Sequence, residues 1–366
     1  MKPALSKNSE TQGTLRFTLK GVDVSVANSL RRIILADIPS FVIRTSPYEE
    51  NLVDIKTNTC RLNNEILKQR LSCIPVHITD KDFPVADYLF EIKKENNSQS
   101  PILVTTEDIT IQNIASGTVL PTSEVRNIFP VDPLTGDFIS IVRLRPKLQE
   151  GVPGEGIHLT FKLSVGTGKQ DGSFTAACTS TYSYSPDEAR ISSTWKALSG
   201  ELKASGLSED AIRTKFNDWS SIDAKRLTVP DSFDFIVESV GVYDNVFLVQ
   251  EACRIASASC DIFEKAVNTG SLPVSKSPTT IPNSYDIQMD NMDYTFGKVI
   301  ENILFRKYYD SGALTFCAFK KFHPHDSYGV LRLGFASETD IENLKQYLLT
   351  ASSLVKEIYA AISVMF

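Results

Sequence analysis

The chain has 366 residues, 42% of them hydrophobic and 22% charged, which is enough for a sizeable core spread over two or three ordinary globular domains. Its net charge of −6 at pH 7 argues against a mainly electrostatic grip on nucleic acid, which needs concentrated Lys and Arg; protein partners are the better expectation. The sequence has no apolar run long enough to span a bilayer and no signal-peptide-like start in MKPALSKNSE, so an intracellular protein with no membrane segment is expected.

The first element alternates, with Leu15, Phe17 and Leu19 apolar and Arg16, Thr18 and Lys20 polar, the period of a strand buried on one face. After Gly21 the period changes. Asp23 is a plausible N-cap for a helix that runs to about Asp37 and is stopped by Pro39. Val26, Leu30, Ile33 and Ile34 form its core stripe, and Asn28, Arg31, Arg32 and Leu35 form a second stripe opposite. Two guanidiniums between an amide and a leucine suit a partner as well as they suit water.

Residues 51 to about 231 read as a separate, inserted body. It opens with a short helix near Glu65 to Leu71, followed by strand-like runs at 102–113 and 138–145. The strand His158 to Val165 leads into the turn Gly166-Thr167-Gly168, Ser185-Pro186-Asp187-Glu188 has the order of a capping box, and another helix begins at Ser208. Strand character returns in Phe233 to Gly241. A long helix then carries Val242, Val246, Val249, Cys253, Ala256, Cys260, Phe263 and Val267 at alternating spacings of four and three, a sustained heptad seam.

Residues 271–283, rich in Pro, Ser and Thr, read as a linker. Beyond it the same grammar recurs: a strand through Tyr285, Ile287 and Met289, a helix with Phe296, Val299, Ile300, Ile303 and Leu304, and two strands around 314–319 and 328–335. A capping-box-like Ser337 to Asp340 precedes a second seam of Ile341, Leu344, Leu348, Ala351, Val355, Ile358, Ile362 and Met365. The chain is therefore expected to be a divergent internal duplication with an insertion in its first copy. A buried large aliphatic side chain contributes about 1.5–3 kcal/mol, against about 0–1 kcal/mol for an exposed ion pair. Both seams must therefore be covered, either by each other or each by its own sheet.

Chemistry-bearing clusters are scarce. The cysteines Cys60, Cys73, Cys178, Cys253, Cys260 and Cys317 make no C-x-x-C pair, and His77, His158, His323 and His325 have no ligand-spaced neighbours. No metal, cofactor or catalytic triad is expected. Gly166-x-Gly168, with the next glycine at Gly172, misses the phosphate-binding spacing and reads as a plain turn.

Asn28-Ser29-Leu30-Arg31-Arg32 followed by Ile33 to Pro39 resembles the signature of alpha-type RNA polymerase assembly subunits, namely the eukaryotic third subunit, its archaeal D-type counterpart and bacterial alpha. Asn64 to Pro75 resembles the family's segment ending in Leu-Ile-Pro, with Gln69 and Ser72 in place of the usual His and Gly. Val237 to Gly241 resembles the return strand, and Gly166 to Lys169 the glycine turn. Tyr294 to Gly297 and Phe319 to Pro324 resemble the eukaryotic eleventh subunit and its archaeal L-type counterpart. The cysteine-rich metal loop of many relatives is absent.

The resemblance implies an α+β fold. A discontinuous assembly domain of 11–50 and 232–270 carries the insert 51–231; the linker 271–283 joins it to an eleventh-subunit-like domain, 284–366. The two halves form an alpha-like pseudo-dimer through Val246, Val249, Cys253, Ala256, Cys260 and Phe263 against Leu344, Leu348, Ala351, Val355, Ile358 and Ile362. The implied function is a non-catalytic platform for the largest and second-largest polymerase subunits, with small accessory subunits also bound and nucleic acid met only through the complex. Asn28, Arg31, Arg32, Leu35 and Arg70, with Lys169 beside the glycine turn, are the implied contacts to the second-largest subunit; for Arg70 local packing stays open as the alternative. Such a fusion resembles those of large nucleocytoplasmic DNA viruses, which implies the virion and host cytoplasm. Open alternatives are a scaffold of some other complex, an enzyme in the insert and a nucleic-acid-binding protein.

Overall fold

A computed structural model describes every residue except 148, 150 and 152. Its first elements are β1 (Ala4–Thr11), β2 (Thr14–Lys20), α1 (Val24–Ala36), β3 (Ser40–Val42), β4 (Val53–Asn58), α2 (Asn64–Ser72), β5 (Tyr88–Glu95), β6 (Ile102–Thr105) and β7 (Ile109–Asn113). There follow α3 (Thr122–Ile128), β8 (Ser140–Leu144), β9 (Gly156–Phe161), β10 (Ser164–Gly166), β11 (Ala177–Pro186), α4 (Glu188–Ala204), α5 (Glu209–Ser221) and β12 (Thr228–Ser239). The last are α6 (Asn245–Thr269), β13 (Val274–Lys276), β14 (Ser284–Asp290), α7 (Tyr294–Leu304), β15 (Leu314–Lys320), β16 (Tyr328–Phe335) and α8 (Ile341–Ser363). They fall into two compact bodies, one of Met1–Ile33, Thr179–Glu238 and Val249–Phe366, the other of Ile34–Cys178 and Ser239–Leu248.

The first body contains a sheet in the order β1-β2-β12-β11. Leu15, Phe17 and Leu19 of β2 pair with Val237, Phe235 and Phe233 of β12, and all six are buried. The rings of Phe17 and Phe235 stack 4.9 Å apart. On the other face the hydroxyls of Thr14 and Thr179 donate to Glu238, and those of Thr18 and Ser185 to Asp234. These bonds give the carboxylates of β12 partners on both neighbouring strands, which offsets the cost of their partial burial.

The outer strand β1 was not legible as a strand because ALSKNSET offers no apolar alternation. It is held as a hairpin partner of β2 by the turn at Gln12 and Gly13, both at positive φ. Strand β11 joins this sheet from within the stretch that the sequence reading set apart as an insert to 231. Ser185 accordingly lies in a strand, and Asp187 is the N-cap of α4, accepting from the Arg190 N–H. Between α4 and α5, Trp195 lies 4.8 Å from Phe216 and 5.3 Å from Trp219, and neither helix has a fully buried residue.

The same body holds the antiparallel sheet β13-β14-β16-β15. The expected linker is thus not structureless: Val274 to Lys276 pair with Ile287 to Tyr285, and the N–H of Gln288 donates to the Pro273 carbonyl. A side chain at Gly297 or Gly329 would strike the Phe319 ring, with Cβ at 2.5 Å and 2.2 Å. These two glycines open the slot that Phe319 fills between α7 and its sheet.

Val249, Cys253, Ala256, Cys260, Phe263 and Val267 of α6 are buried, as are Leu344, Leu348, Ala351, Val355, Ile358 and Ile362 of α8. Val246 is only half-buried, and Val242 precedes the helix. The Ser352 hydroxyl donates to the Cys260 carbonyl at 3.4 Å. Lys356 donates to Glu264 at 2.7 Å and to Asp261 at 3.1 Å. Phe263 meets Phe296 of α7 at 5.5 Å, and the terminal Phe366 sets its ring edge-on to Phe17 at 4.8 Å.

The second body has the sheet β4-β9-β5-β7 and the pairs β6-β8 and β3-β10. The expected strand 102–113 is interrupted by a turn at Thr106–Asp108 closed by a capping box with Thr105, and the expected strand 158–165 is divided into β9 and β10. Phe90, Ile92, Ile111, Leu159 and Phe161 lie at its core, covered by Leu67 and Leu71 of α2.

Burial pushes the Cys253 and Cys260 thiols up to about 12, so at neutral pH they are apolar packers without thiolate character. Cys73 and Cys178 are exposed. Mass-spectrometric mapping after a brief alkylation of the native protein is expected to find label on Cys73 and Cys178. Cys253 and Cys260 should take label only after denaturation.

Candidate subunit interface

The helix α1 starts where Asp23 Oδ1 accepts the Ser25 N–H at 2.8 Å, which satisfies an otherwise orphaned donor. Its apolar stripe, Val26, Leu30, Ile33 and Ile34, is buried. The opposite stripe is not uniform: Asn28, Arg31 and Leu35 are half-buried and Arg32 is exposed.

The two arginines do different things. Arg31 Nε donates to Asn28 Oδ1 at 3.0 Å, a local bond one turn back. Tyr182 lies within its field: burial pushes the Tyr182 hydroxyl up while the Arg31 charge pulls the other way. Arg32 reaches across to the second sheet's helix. Its Nε donates to Thr295 Oγ1 at 2.7 Å and its Nη2 lies 3.5 Å from Asp293 Oδ2. Asp293 is itself the N-cap of α7, with Oδ1 accepting the Thr295 N–H at 2.8 Å.

In the second body the glycine turn closes the C-terminal end of α1. The N–H of Lys169 donates to the Ala36 carbonyl at 2.7 Å and the Thr175 hydroxyl to the Leu35 carbonyl at 2.9 Å, which satisfies terminal acceptors that the helix leaves open. Gly168 has to be glycine for this: a Cβ there would lie 2.5 Å from the Leu35 oxygen. The turn is therefore a helix stop, and the Lys169 side chain stands exposed beside it. Arg70 Nε and Nη2 donate to the carbonyls of Ile141 and Ser140, each at 2.7 Å, so its guanidinium is engaged with the backbone of β8.

Sequence reasoning passed over Arg44, which is buried and ties four partners together. It donates to the Ser164 hydroxyl, Glu50, the Val165 carbonyl and Gln170, and its guanidinium lies 5.3 Å from the centre of the Phe174 ring. An arginine just past a short apolar strand gives no periodic signal; only its placement reveals the role. Among the described residues no cluster of His, Cys, Asp and Glu is set to hold a metal ion, and no helix is long and apolar enough to cross a membrane.

Comparison with known proteins fits this geometry. Residues 16–260, more than half of the chain, match the RNA polymerase Rpb3/Rpb11 dimerisation domain. The chain belongs to that family. It is 26% identical over 300 residues to the DNA-directed RNA polymerases I and III subunit rpac1 of Dictyostelium discoideum, a match covering 71% of this chain and 80% of that one. The human RPAC1 subunit of the same two polymerases is 24% identical across 69% of this chain and 81% of its own length. Subunit 3B of RNA polymerases IV and V of Arabidopsis thaliana is 30% identical, over 47% of this chain and 54% of that protein.

The close approach at Gly168 gives a direct test of how the glycine turn holds α1. Gly168→Ala is expected to destabilise the protein by about 1–3 kcal/mol, the range for forcing atoms into a packed site, in a urea titration. Gly172→Ala, where a Cβ meets nothing within 4 Å, should leave the same curve nearly unmoved.

Proposed function

We propose that this chain is a non-catalytic assembly subunit of a multisubunit DNA-directed RNA polymerase, in which a third-subunit-like half and an eleventh-subunit-like half are joined in one polypeptide. The observation that carries the reading is the match of residues 16–260 to the Rpb3/Rpb11 dimerisation domain, together with relatives that are named as polymerase subunits. The chain supplies a platform on which the second-largest and then the largest subunit assemble. Catalysis belongs to those partners, and DNA and RNA meet this chain only through the complex.

On this reading 11–50 and 232–270 form the first assembly domain, 51–231 its insert and 284–366 the second assembly domain, with 271–283 between them. The two assembly domains pair as an intramolecular pseudo-dimer. Support comes from the buried edges of α6 and α8, the Ser352 bond to Cys260, and the ion pairs of Lys356 with Glu264 and Asp261. Fusion fixes the stoichiometry of the pair and holds the halves at an effective concentration of about millimolar. The fused arrangement is also what carries the reading of a large nucleocytoplasmic DNA virus as the source.

The face of α1 bearing Asn28, Arg31, Arg32 and Leu35 is the proposed contact to the second-largest subunit, with Arg70 and Lys169 as further contacts. Arg31 is the strongest candidate among them, because its bond to Asn28 is local and leaves donors of the guanidinium fork for carboxylate or carbonyl groups of a partner.

The tagged chain, recovered from the cells in which it is made, is expected to bring down two very large polymerase subunits. Recovery of nothing but a homodimer overturns the reading. Arg31→Ala should leave a folded monomer by circular dichroism and weaken recruitment of the second-largest subunit by roughly thirtyfold, as for an interface arginine worth about 2 kcal/mol. Unchanged recruitment would defeat the site while leaving the family intact.

A further inference from the structure

The face of α1 that carries Asn28, Arg31 and Leu35 leads onto a strand. At the last turn of the helix the Thr175 hydroxyl donates to the Leu35 carbonyl at 2.9 Å and stands 3.0 Å from the carbonyl of Ala177, the first residue of β11. Strand β11 thus sets out from beside the end of α1 and runs along the margin of the sheet β1-β2-β12-β11. Its side chains alternate across the sheet. Thr179 and Ser185 bond Glu238 and Asp234 on the polar face, so Tyr182 and Tyr184 point to the other.

The two phenol rings are held from below. Tyr182 lies 5.4 Å from both Phe233 and Phe235, and Tyr184 lies 5.1 Å from Phe233; both phenylalanines are buried. No further strand lies outside β11 in this sheet, and Tyr184 keeps 41% of its surface exposed while Tyr182 is half-buried. Among the described residues neither hydroxyl has a hydrogen-bond partner, and the Tyr182 oxygen is not sealed from solvent. Arg31 completes the patch. Its Nε is taken by Asn28, and among the described residues no carboxylate lies within ion-pair reach of its guanidinium. Burial and the neighbouring Tyr184 push the Tyr182 hydroxyl up, and the Arg31 charge opposes them, so the three groups share one neighbourhood.

We infer that Tyr182 and Tyr184 extend the contact face of α1 onto β11, so that their hydroxyls and the Arg31 guanidinium together receive a carboxylate-bearing segment of the second-largest polymerase subunit. The inference rests on the proposed function and names the chemistry of the segment that α1 meets. A cationic fork beside two hydroxyl donors, with no anion among them, suits a carboxylate. Rings already packed on Phe233 and Phe235 lose little freedom on docking, which favours tyrosine as a contact residue. Tyrosine and arginine also carry a large share of the binding energy where protein surfaces meet. The carboxylates of β12 do not compete for this patch, because Asp234 and Glu238 bond Thr18, Ser185, Thr14 and Thr179 on the opposite face of the sheet.

The test uses the tagged full chain in two ways. First, tetranitromethane is applied to the free chain and to the chain recovered with its large subunits, and nitrated tyrosines are mapped by mass spectrometry. Tyr184 is expected to be nitrated in the free chain and protected in the complex. Second, Tyr182→Phe and Tyr184→Phe keep each ring on Phe233 and remove only the hydroxyl. Each is expected to lower recovery of the second-largest subunit by about two- to tenfold, the range for one hydrogen bond, with the urea unfolding curve unmoved. Arg31→Ala combined with Tyr182→Phe should cost less than the product of the two single effects, since both groups serve one acceptor. Equal nitration of Tyr184 in the free and assembled chain overturns the inference while the assembly reading stands, as does unchanged recovery by both phenylalanine variants. Failure of the unmodified chain to bring down any large polymerase subunit overturns both.

Discussion

Two helices with continuous apolar edges cannot both stand in water, and the first body is arranged around that constraint. The edge of α6 from Val249 to Val267 and the edge of α8 from Leu344 to Ile362 are buried together with Tyr359, whose hydroxyl burial pushes its pKa up. At about 1.5–3 kcal/mol for each large side chain, this burial outweighs any of the surface ion pairs. What the polar contacts add is alignment: Ser352 on the Cys260 carbonyl and Lys356 between Glu264 and Asp261 fix which turn of one helix faces which turn of the other. Phe366 against Phe17 and Phe263 against Phe296 carry the same contact outward, one to β2 and one to α7.

Periodic features were legible in the sequence. The heptad edges of the two long helices, the alternation of β2 and the core stripe of α1 all repeat at fixed spacing, and burial follows that spacing except at the outer ends of the seams, where Val242, Val246 and Met365 are half-buried and Ile341 is exposed. Features decided by a partner rather than by a period were not. Strand β1 is polar on both faces and exists because β2 offers it hydrogen bonds. Strand β13 lies in a Pro- and Ser-rich stretch that has the composition of a linker, yet β14 pairs with it. Ser185 has the sequence context of a helix cap, but Asp234 competes for its hydroxyl and the strand continues past it.

The candidate interface shows the same division. A stripe of Asn28, Arg31, Arg32 and Leu35 could be drawn from helical spacing alone, but spacing does not say where a long side chain goes. Arg32 bends toward Thr295 and Asp293 while Arg31 stays with Asn28. Adjacent arginines of one motif thus have different surroundings, one joined to the start of α7 and one bonded a turn back on its own helix. The glycine turn is similar: its pattern suggested a simple reversal, and the geometry adds that Gly168 lets the Leu35 and Ala36 carbonyls find donors.

The hairpin of α4 and α5 holds both tryptophans of the chain, Trp195 and Trp219, gathered around Phe216. Ultraviolet emission excited at the red edge of protein absorption therefore comes from this one helical pair and from no other part of the sequence. The protein carries an intrinsic optical probe of a single locale, responsive to anything that wets, quenches or covers those indoles.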